Sequence, residues 1–382
     1  MRDAFSFHYG PRLVMEPGAS RRIAEFVAGT RFLIVTDAHL MALGLAEPVI
    51  AALQATGAEL FLFDAVEADP SLATLHAAEA LGREAKVEAV IGLGGGSPMD
   101  VAKLVAYLLG SGDDVEQLWG VDKAVGKRLP LVLIPTTAGT GSEATPVAVI
   151  TVGGAEKKGV SSAALIPDWA ILDPELTLGL PREITAATGI DAMVHAIEAF
   201  TSARRKNPVS DMLARRALEL LTQNLLVACD EPASIEARSA MLLGAHLAGV
   251  AFANAPVAGV HALAYPLGGH FHIPHGVSNA LMLPHVLSHN LPAAMHEYAE
   301  LGRLLDPGLA AEGDQAQARS FIQRMQSLSI DAGIPQRLSG FGIGTRHLDL
   351  LASEAMKQER LLINNPRPIV EADARRLYEA AL

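Results

Sequence analysis

The first half of the chain alternates two hydrophobic patterns. Short runs rich in β-branched residues occur at RFLIVTD (31–37), AELFLFD (58–64), VEAVIGLGGGS (87–97) and RLPLVLIPTT (128–137). Each reads as a buried strand closed by a turn. Between them, residues 38–57, 71–86 and 100–109 place apolar residues at helical spacing. Strands separated by helices predict a largely parallel sheet with helices on both faces. The texture changes across 173–190, where DPELTLGLP forms a Pro-punctuated connector. Beyond it, the stretches 184–202, 208–228, 231–252, 277–290, 293–305, 312–332, 346–358 and 371–381 repeat helical spacing with few β-branched runs. The expected fold is α/β plus all-α: a parallel-sheet domain over 1–176 and a helical domain over 177–382.

Composition narrows the class. Half of the 382 residues are hydrophobic and 19% are charged, which suits a buried core rather than disorder. A net charge of −12 argues against nucleic acid, whose phosphates demand basic patches. The single cysteine, Cys229, excludes an intrachain disulfide and a Cys-rich zinc site. The opening MRDAFSFHYGPRLVMEPG lacks the apolar core of a signal peptide, and no apolar run approaches the ~18 residues of a membrane span. The expectation is a soluble cytoplasmic protein without nucleic-acid or membrane partners. Six of the 13 histidines (His261, His270, His272, His275, His285 and His289) crowd into one short window, which points to metal or proton chemistry.

Two turns carry candidate anion chemistry. Gly94-Gly95-Gly96-Ser97 follows a strand and precedes a helix bearing Asp100 and Lys103. Glycines let a backbone approach phosphate closely, and helix-start N–H groups attract negative charge. The same turn serves any tight strand-to-helix connection. The second turn, PTTAGTGSEAT (135–145), also follows an apolar strand and brings the hydroxyls of Thr136, Thr137, Thr140, Ser142 and Thr145. Two such turns at separate strand ends suit a nucleotide crevice. RFLIVTD ends in Asp37, which either bonds adenosine ribose hydroxyls, favouring NAD over NADP, or merely caps a helix.

Metal chemistry has its own candidates. In GIDAMVHAIEAF (189–200), Asp191 and His195 are four apart and share a helix face, with Glu198 continuing it. They form either two ligands to one cation or an ordinary surface hydrogen bond. In HALAYPLGGHFHIPHG (261–276), two histidines would complete an Asp/His₃ set. Such a set suits Fe²⁺, Zn²⁺, Mn²⁺ or Co²⁺.

The ordered segments GGGSPMDVAK (94–103), IPTTAGTGSEAT (134–145), DPELTLGLP (173–181), GIDAMVHAIEAF, HALAYPLGGHFHIPHG and LLINNPRP (361–368) span nearly the whole chain. Their set resembles the iron-dependent (group III) alcohol dehydrogenase family. That resemblance implies an N-terminal Rossmann-like dinucleotide domain and a C-terminal helical metal domain, a dehydroquinate synthase-like architecture, in a homodimer. It implies the metal ligands Asp191, His195, His261 and His275, with Fe²⁺ or Zn²⁺ as the ion. It implies NAD contacts from Asp37, Gly94, Gly95, Gly96, Ser97, Asp100, Thr136, Thr137, Thr140, Ser142, Thr145 and Lys158. Phe252 matches a position lining the substrate pocket.

The implied activity is reversible hydride transfer between NAD and a small alcohol or aldehyde whose oxygen sits at the metal. His261 and His275 are the central catalytic candidates. Many members carry a proton-relaying histidine four residues after the third ligand, where this chain has Tyr265. A phenol of pKa ~10 is a poorer shuttle at neutral pH than an imidazole of ~6.5, so His270 or His272 is a substitute. Tyr265 also motivates a second expectation, a hydroxyacid–oxoacid transhydrogenase that retains NAD. A metal-dependent lyase of the dehydroquinate synthase-like class and a non-catalytic nucleotide binder complete the alternatives.

Overall fold

A computed structural model describes residues 4–153 and 156–382. The chain divides into two compact units, Tyr9–Gly179 and the described residues up to His8 together with Leu180–Leu382. The division falls inside the Pro-punctuated connector. The N-terminal residues join the second unit, where the His8 N–H donates to Asn254 Oδ1 at 2.8 Å.

The first unit holds β1 (Arg12–Met15), β2 (Arg31–Val35), α1 (Ala38–Ala42), α2 (Glu47–Gln54), β3 (Glu59–Phe63), α3 (Leu72–Ala85), β4 (Ala89–Gly94), α4 (Gly96–Ser111), β5 (Gly120–Val121), β6 (Leu131–Pro135), β7 (Val147–Val152), β8 (Glu156–Ser161) and β9 (Trp169–Leu172). A six-stranded sheet runs in the order β1-β9-β6-β4-β2-β3 with parallel pairings. The near-continuous apolar runs follow from burial on both faces. Leu33, Val35, Val90, Leu131 and Leu133 enter one core, whereas Phe32, Ile34, Ala89, Ile91, Val132 and Ile134 enter the other. Those two sets alternate along β2, β4 and β6, as the period of a strand requires.

The four expected strands are β2, β3, β4 and β6. The pattern missed β1 and β9, whose four residues each are too short to stand out from connectors. It also missed the second sheet, β5-β8-β7, in which β7 and β8 pair antiparallel. Residues 38–57 break into two helices rather than one. Helix α4 begins at Gly96, so the glycine turn is itself the helix start. Pro98 does not oppose this, since a first-turn residue has no intrahelical partner for its N–H.

The second unit is helical: α5 (Arg182–Thr201), α6 (Pro208–Asp230), α7 (Ile235–Asn254), α8 (Gly259–Phe271), α9 (His275–Leu305), α10 (Asp314–Asp331), α11 (Leu348–Met356), α12 (Glu359–Leu362) and α13 (Glu371–Ala380). Helix α5 packs against α6, α7 and α9 and is buried nearly all round. That explains its lack of a polar face. The expected pair 277–290 and 293–305 forms the two helical segments of α9, which meet at a kink where Ala294, just after Pro292, leaves helical geometry. Helix α8 was not expected, because Pro266 and its glycines suppress the helical signal. Burial of His261 to Ala264, Pro266 and Leu267 overrides that propensity. Among the described residues no single helix is long and apolar enough to cross a membrane. The bent pair α7–α8 passes by length and composition together, but most of its residues are buried.

Candidate metal and nucleotide sites

In the first unit, strand order reverses between β2 and β4: β2 sends the chain outward to β3, and β4 returns on its other side. Open parallel sheets bind ligands beyond the carboxyl ends of strands at such a switch point. Asp37 stands at the end of β2 and Gly94–Ser97 at the end of β4. The second turn follows β6, which pairs with β4 and brings Gly94 opposite Pro135. The Thr136 N–H then donates to the Gly94 carbonyl at 3.0 Å, so the two turns are hydrogen-bonded side by side. Gly95 caps α4 without any side-chain bond, so the first N–H groups of α4 carry no side-chain cap from that residue. Thr136, Thr137 and Thr140 belong to the adjoining turn.

Three other candidates form a brace beneath these turns. Ser142 Oγ donates to Asp100 Oδ1 at 2.6 Å, and the Val149 N–H donates to Asp100 Oδ2 at 2.9 Å. Lys103 Nζ donates to Ser142 Oγ (2.8 Å), Thr145 Oγ1 (3.2 Å) and the Val147 carbonyl (2.7 Å). Lys103 is fully buried. Burial lowers its pKa to about 8 against the upward pull of Asp100 and Glu143, and burial raises that of Asp100. Asp100, Ser142 and Thr145 thus tie the second turn to α4 and β7. Asp37 caps α1 by accepting the Leu40 N–H on Oδ1 at 2.9 Å. Lys158 sits on β8 with its ammonium over the Trp119 ring, 5.9 Å from the centroid.

In the second unit, Asp191 and His195 sit one turn apart on buried α5. His261 lies in the first turn of α8, and His275 opens α9. Helix α9 reaches α5 because residue 276 is glycine. A Cβ there would overlap the Ala187 carbonyl, so only glycine allows this approach. Donor atoms of Asp191, His261 and His275 all lie within 4.8 Å of one another. Asp191 Oδ1 is 3.5 Å from His275 Nε2 and 3.9 Å from His261 Nε2. Burial would raise the Asp191 pKa, but the charges of His195, His275 and His261 and the Asn279 hydrogen bond outweigh it and hold the carboxyl below its usual range.

Two residues complete the arrangement. Asn279, one turn past His275, donates Nδ2 to Asp191 Oδ1 at 2.6 Å. The same nitrogen lies 3.3 Å from His261 Nε2 and 3.2 Å from His275 Nε2. One carboxylate oxygen and two imidazole nitrogens therefore converge on one point. Glu198, one turn past His195, takes His261 Nδ1 at 2.7 Å. A carboxylate only accepts, so Nδ1 carries the proton and Nε2 keeps its lone pair. These lone pairs, one carboxylate and no thiolate fit a divalent cation of the Fe²⁺ or Zn²⁺ kind.

His195 stands beside that trio, its ring stacked on His261 (centroids 4.7 Å) and on Phe252 (4.4 Å). Phe252 thus contacts the fourth expected ligand. Tyr265 lies one turn past His261 with its ring 5.8 Å from that of His275. His270 is carried elsewhere, to the end of α8, where Nε2 lies 3.9 Å from Glu354 on α11. His272 is exposed in the left-handed residue that ends α8. The sequence reading missed Asn279, although its spacing from His275 would have indicated a shared helix face.

Comparison with known proteins identifies the family. The family described as iron-containing alcohol dehydrogenase matches residues 10–174, and the C-terminal part of the Fe-containing alcohol dehydrogenase family matches residues 185–382. Long-chain-alcohol dehydrogenase 1 of Geobacillus thermodenitrificans is 42% identical over 352 residues, covering 91% of this chain and 89% of its own. A solved 1,3-propanediol oxidoreductase aligns with a TM-score of 0.95 at 32% identity, over 99% of this chain and all of its own. The sulfoacetaldehyde reductase of Bifidobacterium kashiwanohense, solved in complex with NAD⁺, aligns at 0.88 and 28% identity, over 99% of this chain and 98% of its own. The chain belongs to the iron-containing alcohol dehydrogenase family, and is an oxidoreductase whose cofactors are NAD and a divalent metal.

Proposed function

We propose that the chain interconverts a small alcohol and its aldehyde or ketone with NAD, using Asp191, His195, His261 and His275 as metal ligands. The convergence of Asp191 Oδ1, His261 Nε2 and His275 Nε2 on one point carries this reading. When bound, the cation polarises the substrate oxygen as a Lewis acid and the nicotinamide exchanges the hydride.

The chain's own residues prepare that chemistry. Asp191 is held ionised and supplies the negative charge a cation needs. Glu198 fixes the His261 tautomer so that Nε2 faces the ligand cluster. Phe252 stacks on His195 and restricts its ring. His275 is about a third exposed, in contrast to its buried partners, so a substrate would reach the ligand cluster on this side, beside the Tyr265 ring. Gly94–Ser97 with Thr136, Thr137 and Thr140 would hold the pyrophosphate through backbone N–H groups and hydroxyls. Asp37 would engage the ribose hydroxyls while it also caps α1 through the Leu40 N–H.

The relatives are named for alcohols from methanol to long-chain species, so the substrate is sought along a chain-length series. The test is an anaerobic panel of alcohols, aldehydes and hydroxyacids with NAD or NADP, after loading with Fe²⁺ or Zn²⁺. Net NADH formation from an alcohol, lost in His261→Ala together with bound metal, is the expected result. Full activity of that variant without metal overturns the ligand assignment. Exchange between an acid pair without added NAD would instead establish the transhydrogenase, and turnover without lasting NADH change a lyase.

A further inference from the structure

Helix α8 carries His261 in its first turn yet has no cap of its own: Ala258 makes no side-chain hydrogen bond to it. A helix start needs partners for its N–H groups. Here they come from distant segments. Glu198 accepts the Ala258 N–H at 2.8 Å and the Val260 N–H at 2.6 Å. Asn365 Oδ1 accepts the Gly259 N–H between them at 3.2 Å.

Asn365 belongs to LLINNPRP, a segment with no part in the chemistry above. It is buried and cross-braced by Asn290. Asn290 Nδ2 donates to Asn365 Oδ1 at 3.0 Å, and Asn365 Nδ2 returns a bond to Asn290 Oδ1 at 2.7 Å and another to the Arg367 carbonyl at 2.6 Å. The neighbouring Asn364 donates to the Val257 carbonyl at 3.0 Å, just before α8. Gly259 permits the contact, since a Cβ there would stand 2.6 Å from Asn365 Oδ1 and 2.8 Å from Ile369 Cδ1.

We propose that Asn365, braced by Asn290, is a positioning residue for His261. Glu198 sets the orientation and tautomer of the ring, and Asn365 sets where the turn beneath it stands. His261 is two residues from Gly259, so a shift of that turn carries Nε2 away from Asp191 and His275. Imidazole–metal bonds are short, roughly 2.0–2.1 Å for zinc, so displacements of tenths of an ångström weaken binding. This rests on His261 being a ligand.

The test titrates the metal-free full chain with Co²⁺ against a competing chelator, records the Co²⁺ ligand-field spectrum, and measures the metal-free Tm. Wild type and His261→Ala examine the ligand reading by themselves; if both bind Co²⁺ alike, that reading fails and the proposal with it. Asn207→Ala removes the buried cap of α6 and is the control for simple destabilisation. It should lower Tm and leave Co²⁺ affinity within about twofold, as expected for a change outside the ligand shells. Asn365→Ala should weaken Co²⁺ binding roughly tenfold, within the usual range for outer-shell partners, and shift the spectrum. Asn290→Ala, which leaves the cap but loosens it, should do the same to a smaller degree. The proposal is overturned if Asn365→Ala lowers Tm but binds Co²⁺ with wild-type affinity and spectrum. Should Asn365→Ala not fold, unchanged Co²⁺ affinity in Asn290→Ala overturns it.

Discussion

The two candidate sites are built in opposite ways. The nucleotide turns are local: each is a short stretch leaving one strand, and their groups are mainly backbone N–H and small hydroxyls. The metal cluster is non-local: its side chains come from α5, α8 and α9, and Glu198 reaches His261 across 63 residues of sequence. Backbone turns tolerate many side-chain changes as long as their shape holds. A side-chain cluster fails when one donor is removed, because the remaining buried charge loses its partner.

The largest expected effect separates the two sites outright. His261→Ala should abolish tight metal binding and turnover while NAD affinity stays within about twofold, as expected when a local backbone site is untouched. Equilibrium dialysis with metal analysis, alongside NAD titration, checks this. A parallel loss of NAD binding would break the comparison.

Lys103→Met attacks the brace under the second turn. It leaves Asp100 without its cation and should cost about 2 kcal/mol of stability, as for a buried group stripped of its partner. The pH dependence has a definite sign. Lys103 titrates at about 8 in the fold against an ordinary 10.5. Between those values the unfolded chain holds a proton that the folded one has lost, so this group makes wild-type stability rise with pH. Urea unfolding at pH 7 to 10 should show that rise in wild type and a flatter profile in Lys103→Met. Identical profiles would remove Lys103 from the account.

A smaller effect is expected for Glu198→Gln. It keeps the shape but loses the charge that fixes Nδ1–H of His261, so metal affinity should fall about tenfold. Chelator competition reads this out; wild-type affinity would show that helix packing alone orients the ring. The smallest change is Asp37→Gly, which should move the NAD-to-NADP preference severalfold, under about 1.4 kcal/mol. Steady-state kcat/KM with both cofactors decides it, and an unchanged ratio would leave Asp37 as a helix cap only.

Legibility followed the same divide. The interior strands β2, β4 and β6 are visible because burial on both faces demands unbroken apolar runs. The edge strand β1 and the short β9 are not, since four residues between turns resemble any connector. Asp191 and His195 share a helix face by spacing alone. Helix α8 was hidden by Pro266 and its glycines, and with it the route by which His261 joins α5. Asn279 could have been noticed from its distance to His275, but its convergence with Asp191 depends on how α9 crosses α5. His270 shows the converse: the histidine cluster in sequence disperses in space, since the end of α8 directs it to Glu354.

The sequence by itself determined the class of the protein: an α/β half, a helical half, two glycine turns after strands, and a set of carboxylate and imidazole donors without thiolate. Periodicity and local chemistry suffice for those, because they concern neighbours in the chain. Only the tertiary structure decided which donors meet, which tautomer His261 holds, and that Asp100, Ser142 and Thr145 brace a turn together with Lys103. Those outcomes depend on helix crossings and strand order, where buried polar groups must find partners that sequence distance does not reveal.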